Sequence, residues 1–528
     1  MRSPLLYTPI ANDKRRAFIA AAAALAAAAF AAHSAEKPDA GAQWWPPGAG
    51  RTLPASTSYD NEHGQLGILN TAGAIDTRGH PFFEPIGTNG RACVTCHQPA
   101  DAMSLAVDSI RARWEETGGR DPLFAAVDGQ NCPHLPSDAR ASHSLLLDRG
   151  LIRVFLPWPP QRRDGSAIEP EFTLEVVRDP TGCNTHAEHG LTSPRPMVSV
   201  YRRPRPVANL KYVTAAEFGV GPFSLKDAQP AARDPATRKL VNMNMMADAR
   251  EPTLTTQAVS AALTHLAMPA APAAAVLERI VSFESQVYAA QSWHAQAGDL
   301  TAPGGPPALG PAALAAGRTS VLGNNTTAYV FPIGDVWRSL PRTGDAPHDA
   351  ESAFRESVAR GHDVFFLRTF WIKDAMHLNS VGLGNPVKRT CSTCHGMHMT
   401  GMDTANGWMD IGTTNLPWAT ETPVSPWAEK QPEMPLFKIT CDKADAPHPF
   451  LGRVIYTQDP GRALITGRCN DVGTIVMQQF RGLAARAPYF SNGSARTLRE
   501  LIDFYDRRFN IQYSDDEKQD LGNFLSTL

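Results

Sequence analysis

The residues with the clearest chemical potential in this chain belong to two copies of a Cys-x-x-Cys-His motif. The copies are Cys93-Val94-Thr95-Cys96-His97 and Cys391-Ser392-Thr393-Cys394-His395. Two thiols near one helical turn apart can each add to a haem vinyl group, and the following imidazole can then bind the iron. The sequence therefore predicts two covalently bound haem c groups, with His97 and His395 as iron ligands.

Two other uses of these cysteines stay open at the level of sequence. A thioredoxin-like redox Cys-x-x-Cys needs a βαβ context, which neither motif shows. A zinc site made from both pairs would join ligands from opposite halves of the chain and leave both motif histidines unexplained.

Composition and charge narrow the class of protein. The chain has 528 residues, which is long enough for two or more domains with cores of their own. Its formal net charge is −2, with 19% charged residues and no long basic run, so nucleic acid is not an expected partner.

The N-terminus has the pattern of an export signal. Lys14-Arg15-Arg16 precedes an apolar run from Ala17 to Ala32, and residues 1–35 are predicted to be a signal peptide, with an uncleaved anchor as the alternative. No later stretch is expected to cross a membrane, and the predicted location is the periplasm.

Four cysteines remain outside the motifs, an even number that favours two disulfides in an exported protein. Proximity in sequence favours Cys132–Cys183 and Cys441–Cys469, while the other pairings and free thiols stay open.

The predicted fold is mainly α, with two cytochrome c-like haem domains and a partly β insertion in the N-terminal half. The expected boundaries are 36–345 for the N-terminal haem domain, about 100–240 for its insertion, and 346–528 for the C-terminal haem domain. Strand character marks three segments of the insertion, and capping patterns at Thr497 and Ser514 predict two closing helices. A short echo, Arg78-Gly79-His80-Pro81-Phe82-Phe83 and Arg360-Gly361-His362-Asp363-Val364-Phe365-Phe366, is typical of the first helix of a cytochrome c domain. Residues 302–317, rich in Pro and Gly, are predicted to form a linker or exposed excursion.

The end of the chain carries the strongest family signal. Ala487-Pro488-Tyr489-Phe490-Ser491-Asn492-Gly493-Ser494, followed by Thr497-Leu498, resembles the bacterial di-haem cytochrome c peroxidase and MauG family, which usually has His where Ser491 stands. The resemblance is close over about 355–528, touches 75–100, and is looser over 245–268.

This resemblance implies a division of labour between the haems. The N-terminal haem would meet hydrogen peroxide, and the C-terminal haem would be six-coordinate and share the oxidising equivalents. Tyr505 falls where MauG has a Tyr ligand and peroxidases have a Met, although its spacing also suits packing with Leu501 and Phe509. Arg481 stands where the family keeps an arginine between the haems. The family also holds a calcium ion through backbone carbonyls, near Arg486 and Pro488 here.

The expected distal side of the first haem departs from the family. Ala247-Asp248-Ala249-Arg250 replaces Trp-Asp-Gly-Arg, Gln257 matches the family's Gln, and Ala267 stands at the position of its Glu. Peroxide cleavage needs a group that removes one proton and returns it to the leaving oxygen. His265 could do this, could bind the iron and close the site, or could be an ordinary helix histidine. Arg250, Gln257 and His265 are the candidate catalytic residues.

The sequence thus favours an exported di-haem oxidoreductase that reacts with hydrogen peroxide. Its electrons would come from a small cytochrome, an oxidisable protein side chain or an organic molecule. A non-enzymatic di-haem electron carrier or redox sensor is the alternative, and an oxygenase acting directly on an organic substrate is a weaker one.

Overall fold

The fold is described from a computed structural model. It describes residues 43–215, 233–234, 237–239, 241, 243–317, 332–375, 385–395, 408–415 and 431–528. The predicted signal peptide, residues 1–35, lies outside the described residues. Within the described part of the chain, no helix has the length and apolar character needed to cross a bilayer.

The architecture is mixed α/β, with 30% of the described residues helical and 19% in strands, so the prediction of a mainly α fold is wrong. The strands are β1 Thr52–Leu53, β2 Ser56–Asn61, β3 Gly64–Asn70, β4 Ile75–Asp76, β5 Ile152–Pro157, β6 Thr173–Arg178, β7 Met197–Arg202, β8 Val287–His294, β9 Gly298–Asp299, β10 Phe370–Ile372, β11 Val387–Arg389, β12 Trp408–Met409, β13 Leu436–Thr440, β14 Val454–Thr457 and β15 Ile475–Val476. Many are only two to four residues long, too short for an alternating apolar pattern to mark them in sequence.

The helices are short, apart from one of 22 residues. They are α1 Val107–Thr117, α2 Ser144–Arg149, α3 Leu210–Val213, α4 Leu254–Thr264, α5 Ala274–Glu284, α6 Gly310–Ala316, α7 Pro332–Asp335, α8 Ala346–Leu367, α9 Ala463–Thr466, α10 Leu498–Phe509 and α11 Asp515–Ser526. Thr497 Oγ1 accepts the N–H of Glu500, and Ser514 forms a capping box with Glu517, as the capping patterns predict.

Two antiparallel sheets join segments that are distant in sequence. One has the strand order β2-β3-β8-β9, in which β3 pairs with β8 from Gly64 opposite His294 to Asn70 opposite Val287. The other has the order β14-β13-β6 and places Thr173 of the insertion opposite Thr440. The insertion therefore shares a sheet with residues beyond 346 rather than folding by itself.

The strand segments predicted in the insertion are confirmed as β5, β6 and β7.

The echo motif has a different structure in each of its two copies. Arg360–Phe366 is helical within α8, whereas the segment from Arg78 to Phe83 consists of turns, so the expectation of a helix there is wrong. The linker predicted over 302–317 is also wrong in part, because α6 lies within it and Leu309 and Leu314 are buried.

The core of the C-terminal half is built where α8 crosses α11. Gly361 of α8 approaches the backbone of α11 so closely that an added Cβ would overlap the carbonyl oxygen of Asp520. Arg360 fixes the same crossing through paired bonds to the Asp520 carboxylate, both 2.8 Å long. This close packing forms one wall of the cluster that includes Phe365 and Phe524.

Both disulfides predicted from proximity are confirmed. Cys132 is bonded to Cys183, and Cys441 is bonded to Cys469. Cys93, Cys96, Cys391 and Cys394 are free thiols. The cysteines of the chain thus divide into disulfide-bonded and motif groups, as the spacing suggests.

Candidate functional site

The first Cys-x-x-Cys-His motif forms part of the wall of a cavity that encloses about 1350 Å³ of space, including its open mouth. Cys93–Thr95 is a single 3-10 turn, closed by the Thr95 hydroxyl, which accepts the N–H of Ala92 at 3.0 Å. The N–H of Val94 donates to the carbonyl oxygen of Phe82 at 3.0 Å. These bonds fix the turn, so both thiols and His97 line the same cavity.

His97 is held in the orientation that metal-binding histidines use. Its Nδ1 lies 3.1 Å from the carbonyl oxygen of Met103. A carbonyl only accepts, so Nδ1 carries the proton and the lone pair of Nε2 is left for a metal. Burial lowers the pKa of His97 to about 4, which keeps the ring neutral.

The motif thiols do not have the character of redox-active cysteines. Burial raises the pKa of Cys96 to about 12 and that of Cys391 to about 11, whereas reactive cysteines have depressed pKa values. The two motifs also line separate cavities, so their four sulfurs do not converge as a zinc site requires. These observations argue against the thioredoxin-like and zinc interpretations.

Two arginines, Arg203 and Arg205, give the first cavity a positive charge, and no carboxylate among the described residues accepts a hydrogen bond from either of them. Arg203 donates to the carbonyl oxygens of Leu105, Arg149 and Arg486, and Arg205 donates to those of Val476 and Met477. Burial lowers the pKa of Arg203 to about 9 and that of Arg205 to about 10. A buried cation without an acidic partner is costly, which makes the pair suited to an anionic ligand such as a group bearing carboxylates.

His265 lines the same cavity and is oriented by a buried carboxylate. Its Nδ1 lies 2.5 Å from Oδ2 of Asp128, and the other oxygen of Asp128 accepts from the guanidinium of Arg91. Asp128 is fully buried, and Arg91 is the largest favourable influence that holds its pKa below the usual range, against desolvation. The His265 ring therefore directs Nδ1 at a fixed anion.

The other two candidate catalytic residues also line this cavity. Gln257 lies on α4, eight positions before His265. The guanidinium of Arg250 contacts both oxygens of Asp248 at 2.8 Å, so its charge is neutralised locally. The structure thus brings Arg250, Gln257 and His265 together around the wall that carries His97.

Glu284 is a residue of this cavity that sequence reasoning missed. It ends α5, is 3% exposed, and its Oε2 has no hydrogen-bond partner within the described part of the chain. Desolvation raises the pKa of Glu284 to about 8, so the carboxyl holds its proton at neutral pH. A helical pattern could have found it, because Glu284 follows Leu277 and Ile280 along the buried face of α5.

The second motif lines a smaller cavity of about 690 Å³, walled almost entirely by apolar side chains. Its lining includes the motif residues Cys391, Cys394 and His395, a ring of phenylalanines and leucines, and two tyrosines, Tyr505 and Tyr513. The Tyr513 hydroxyl lies 3.7 Å from Sγ of Cys391. The described residues that line this second cavity include no arginine, glutamate or aspartate.

Tyr505 faces the same space as His395. It packs against Phe509 with ring centroids 6.3 Å apart, as expected of an apolar-face residue, and against Phe504 at 5.5 Å. Tyr505 is half-buried, and desolvation raises the pKa of its hydroxyl above the usual value. The phenol is therefore expected to keep its proton unless a cation in the cavity stabilises the phenolate.

A third cavity, of about 960 Å³, shares lining residues with both of the others. Arg203 and Gln478 belong to it and to the first cavity, and His395, Phe480 and Tyr505 belong to it and to the second. Arg481 follows Phe480, is 1% exposed, and has its pKa lowered to about 10 by burial. The third cavity therefore lies next to both motif cavities, and Arg481 directly follows a residue that lines it.

The residues near Arg486 and Pro488 do not fit a calcium ion. The carbonyl oxygen of Arg486 accepts from Nη2 of Arg203 at 2.9 Å, and the carbonyl of Ala487 accepts the N–H of Val107 at 3.2 Å. A calcium site needs six to eight oxygen ligands, and a guanidinium on one of the expected carbonyls repels a cation.

A comparison of the sequence with protein-family models and with curated proteins finds no match in either set.

Proposed function

We propose that this protein is an exported di-haem c-type oxidoreductase that reacts with hydrogen peroxide in the cavity lined by His97. The observation that carries the proposal is that each Cys-x-x-Cys-His motif lines a separate cavity, and that a third cavity shares lining residues with both. Each cavity has room for a ligand of cofactor size. The family that the C-terminal sequence resembles has the same pair of haems.

The residues of the first cavity fit a covalently attached haem. Cys93 and Cys96 would form the thioether links, His97 would bind the iron through Nε2, and Arg203 and Arg205 would neutralise the propionates. When bound, the haem supplies a redox-active iron whose potential and reactivity depend on its ligands and surroundings.

His265 would handle the proton that peroxide cleavage requires. Asp128 accepts at Nδ1, which leaves Nε2 as the nitrogen available to the cavity, and the carboxylate also stabilises the ring once it is protonated. Gln257 would orient the peroxide by hydrogen bonding. Glu284, protonated at neutral pH, is a second proton source in the same cavity.

The residues of the second cavity fit a haem that stores charge rather than one that meets substrate. His395 and Tyr505 would be the two iron ligands, and a phenolate is a hard anionic ligand that favours ferric iron. The described lining of this cavity is mostly apolar and contains no carboxyl group that could pass protons to peroxide. The electron donor would be a small cytochrome, an oxidisable protein side chain or an organic molecule.

Two stages test this proposal. Haem content is measured first, after acid extraction of the protein. The wild type should retain two haems per chain, and the variant Cys93→Ser/Cys96→Ser should retain one. The diferric protein is then mixed rapidly with hydrogen peroxide while the absorption spectrum is recorded. The wild type should show a spectral change and turnover of peroxide. The variant Cys391→Ser/Cys394→Ser should also react, but without sharing the oxidising equivalents with a second haem. The variant Cys93→Ser/Cys96→Ser should not react.

Three outcomes would contradict the proposal in different ways. A chromophore that is released by acid, or is missing, removes the covalent haems altogether. Haems that remain attached but do not respond to peroxide favour the electron carrier or redox sensor. Oxygen consumption with an organic substrate and without peroxide favours the oxygenase.

A periplasmic location is part of the same proposal. The two disulfides support it, because disulfides persist in oxidising compartments. Cell fractionation of the full chain, with the haem signal followed by its absorption band, tests it directly.

A further inference from the structure

A cluster of three histidines lies in the insertion, on segments that the proposed function does not use. His134 follows the disulfide residue Cys132, and His186 and His189 follow its partner Cys183. The disulfide therefore holds together the two segments that carry these side chains. His134 is exposed, and His186 and His189 are half-buried.

The three imidazoles are stacked in one group. The ring centroids of His134 and His186 lie 4.3 Å apart, and those of His186 and His189 lie 4.9 Å apart, with interplanar angles of 13° and 16°. One ligand atom from each of His186, His189 and Glu188 lies within 4.8 Å of the other two. Cys-x-x-Cys-His residues take no part in this group.

The backbone that presents the cluster is well ordered by its own hydrogen bonds. The Asp179 carboxylate accepts from the N–H and the hydroxyl of Thr185, at 2.9 and 3.0 Å, and the N–H of Gly190 donates to the carbonyl of His186 at 2.9 Å. The Asn184 side chain is bonded in both directions to the backbone of Ser199 on β7. The loop is therefore positioned before any ligand arrives.

We propose that His134, His186, Glu188 and His189 form a binding site for one divalent transition-metal ion that prefers imidazole ligands, such as Zn²⁺ or Cu²⁺. Three imidazoles and one carboxylate are a donor set that both ions accept, whereas Mg²⁺ and Ca²⁺ require mostly oxygen ligands. In a tetrahedral site with Zn–N distances of about 2.0–2.1 Å, ligand atoms lie roughly 3.3 Å apart. Ligand atoms of His186, Glu188 and His189 already lie within 4.8 Å of one another, so small side-chain rotations would bring them to that spacing. The exposed ring of His134, stacked on His186, would turn to supply the fourth ligand.

Ion binding would change little else in the insertion. The N–H of Glu188 donates to Nδ1 of His186 at 3.2 Å, and coordination of that ring would replace this single bond. The ion would then connect the same two segments as the Cys132–Cys183 disulfide. The site does not depend on haem, so its test is separate from that of the proposed function.

The test is a titration of the purified protein, with its prosthetic groups as isolated, using ZnCl₂ and CuCl₂ in separate experiments, and MgCl₂ as the comparison ion. Isothermal titration and elemental analysis after dialysis should show one Zn²⁺ or Cu²⁺ per chain and no Mg²⁺. Each of His134→Ala, His186→Ala and His189→Ala should weaken binding by about tenfold or more. Electron paramagnetic resonance of the Cu²⁺ form should show hyperfine coupling to several imidazole nitrogens.

His348→Ala is the matched control, because His348 is a half-buried histidine on α8, away from the cluster. It should leave the affinity unchanged. The proposal would be overturned if the triple alanine variant still bound one metal ion per chain tightly, or if His348→Ala weakened binding as much as the cluster variants do. Either result would place the ion elsewhere. A Zn²⁺-induced rise of the unfolding temperature, present in the wild type and absent in the triple variant, would give independent support, and a rise of equal size in both would count against the site.

Discussion

The two motif cavities differ in their surroundings far more than in their motifs. The lining of the first combines apolar side chains with many charged and amide ones, namely Arg91, Arg202, Arg203, Arg205, Arg250, His265, Glu284, Asn244, Gln257, Gln478 and Gln479. Among the described residues, the second is lined by aromatic and aliphatic side chains, with two tyrosine hydroxyls as its main polar groups besides the motif. The same five-residue pattern therefore lies once beside groups that can supply protons and once among described residues that are mostly apolar.

The physical basis of this difference is the cost of charge in an apolar environment. Ionised groups in an apolar cavity must be paired or neutral, and within the described part of the chain the second cavity has neither acids nor arginines in its lining. The first cavity meets that cost through ion pairs such as Arg91–Asp128 and Arg202–Asp248. Reaction with peroxide is thus expected in the first cavity, and electron storage in the second.

The largest effect is expected from His265→Ala. If His265 carries the proton, the rate of the peroxide reaction should fall by about 10² to 10⁴ in stopped-flow measurements. If His265 instead binds the iron and closes the site, the rate should rise, which would reverse its assigned role. Tyr505→Phe is the control from the second cavity and should leave this first reaction step almost unchanged.

Glu284→Gln tests the buried acid of the first cavity through the pH dependence of stability. The pKa of Glu284 is about 8 in the folded protein, against an ordinary value of 4.5. Below about pH 4.5 the Glu284 carboxyl is protonated in both the folded and the unfolded protein, so the substitution should leave the pH dependence of stability unchanged. Between the two values the unfolded carboxyl ionises while the folded one does not, so the wild type loses stability relative to the variant as the pH rises. The difference should reach a few kcal/mol at most near pH 8, since one pKa unit is worth about 1.4 kcal/mol.

Denaturant unfolding of both proteins across this pH window measures the effect. Glu278→Gln is the matched control, because Glu278 is an exposed glutamate on the same helix, α5. If the difference in unfolding free energy between Glu284→Gln and the wild type does not change with pH, the Glu284 carboxyl does not titrate in this range.

Tyr505→Met sharpens the comparison from the side of the second cavity. A thioether favours ferrous iron more than a phenolate does, so the midpoint potential of the second haem should rise by roughly 0.1 V or more in a redox titration. Tyr513→Phe removes the other hydroxyl of the cavity and should leave the potential nearly unchanged. An unaltered absorption spectrum in Tyr505→Met would refute ligation by Tyr505.

Gly361→Ala should give the smallest effect of the four, about 1–3 kcal/mol of lost stability, because the added Cβ would push α8 away from α11. Chemical unfolding measures it, together with the absorption band of the second haem. Gly522→Ala on α11 is the control, since its Cβ would make only an ordinary contact with Ile502. Equal losses in the two variants would show that the crossing is less tightly packed than the structure indicates.

The sequence predicted what depends on local spacing. The motif turns, both disulfides, the strands β5, β6 and β7 and the caps at Thr497 and Ser514 all follow from patterns a few residues long, or from proximity along the chain. Long-range pairing was invisible to the same reasoning. The β3–β8 pairing and the contact of Asp128 with His265 each join segments more than a hundred residues apart.

The fold class was missed for a related reason. The short strands were not recognised, and the resemblance of the C-terminal part to a helical family was extended to the whole chain. In the site, Arg250 and Gln257 were placed by that resemblance, His265 was proposed as a substitute for the family's missing Glu, and all three line one cavity. Asp128, Arg203 and Arg205 were not singled out, because nothing in their neighbouring residues distinguishes them from ordinary surface charges.

The pairing of β6 with β13 sets an order of events for folding. Residues 173–178 find their partner strand only once residues 436–440 have been synthesised. The sheet β14-β13-β6 therefore closes after most of the polypeptide has been made. If the proposed haems are attached, this delay leaves time for both to be joined to the motif cysteines before the sheet is complete.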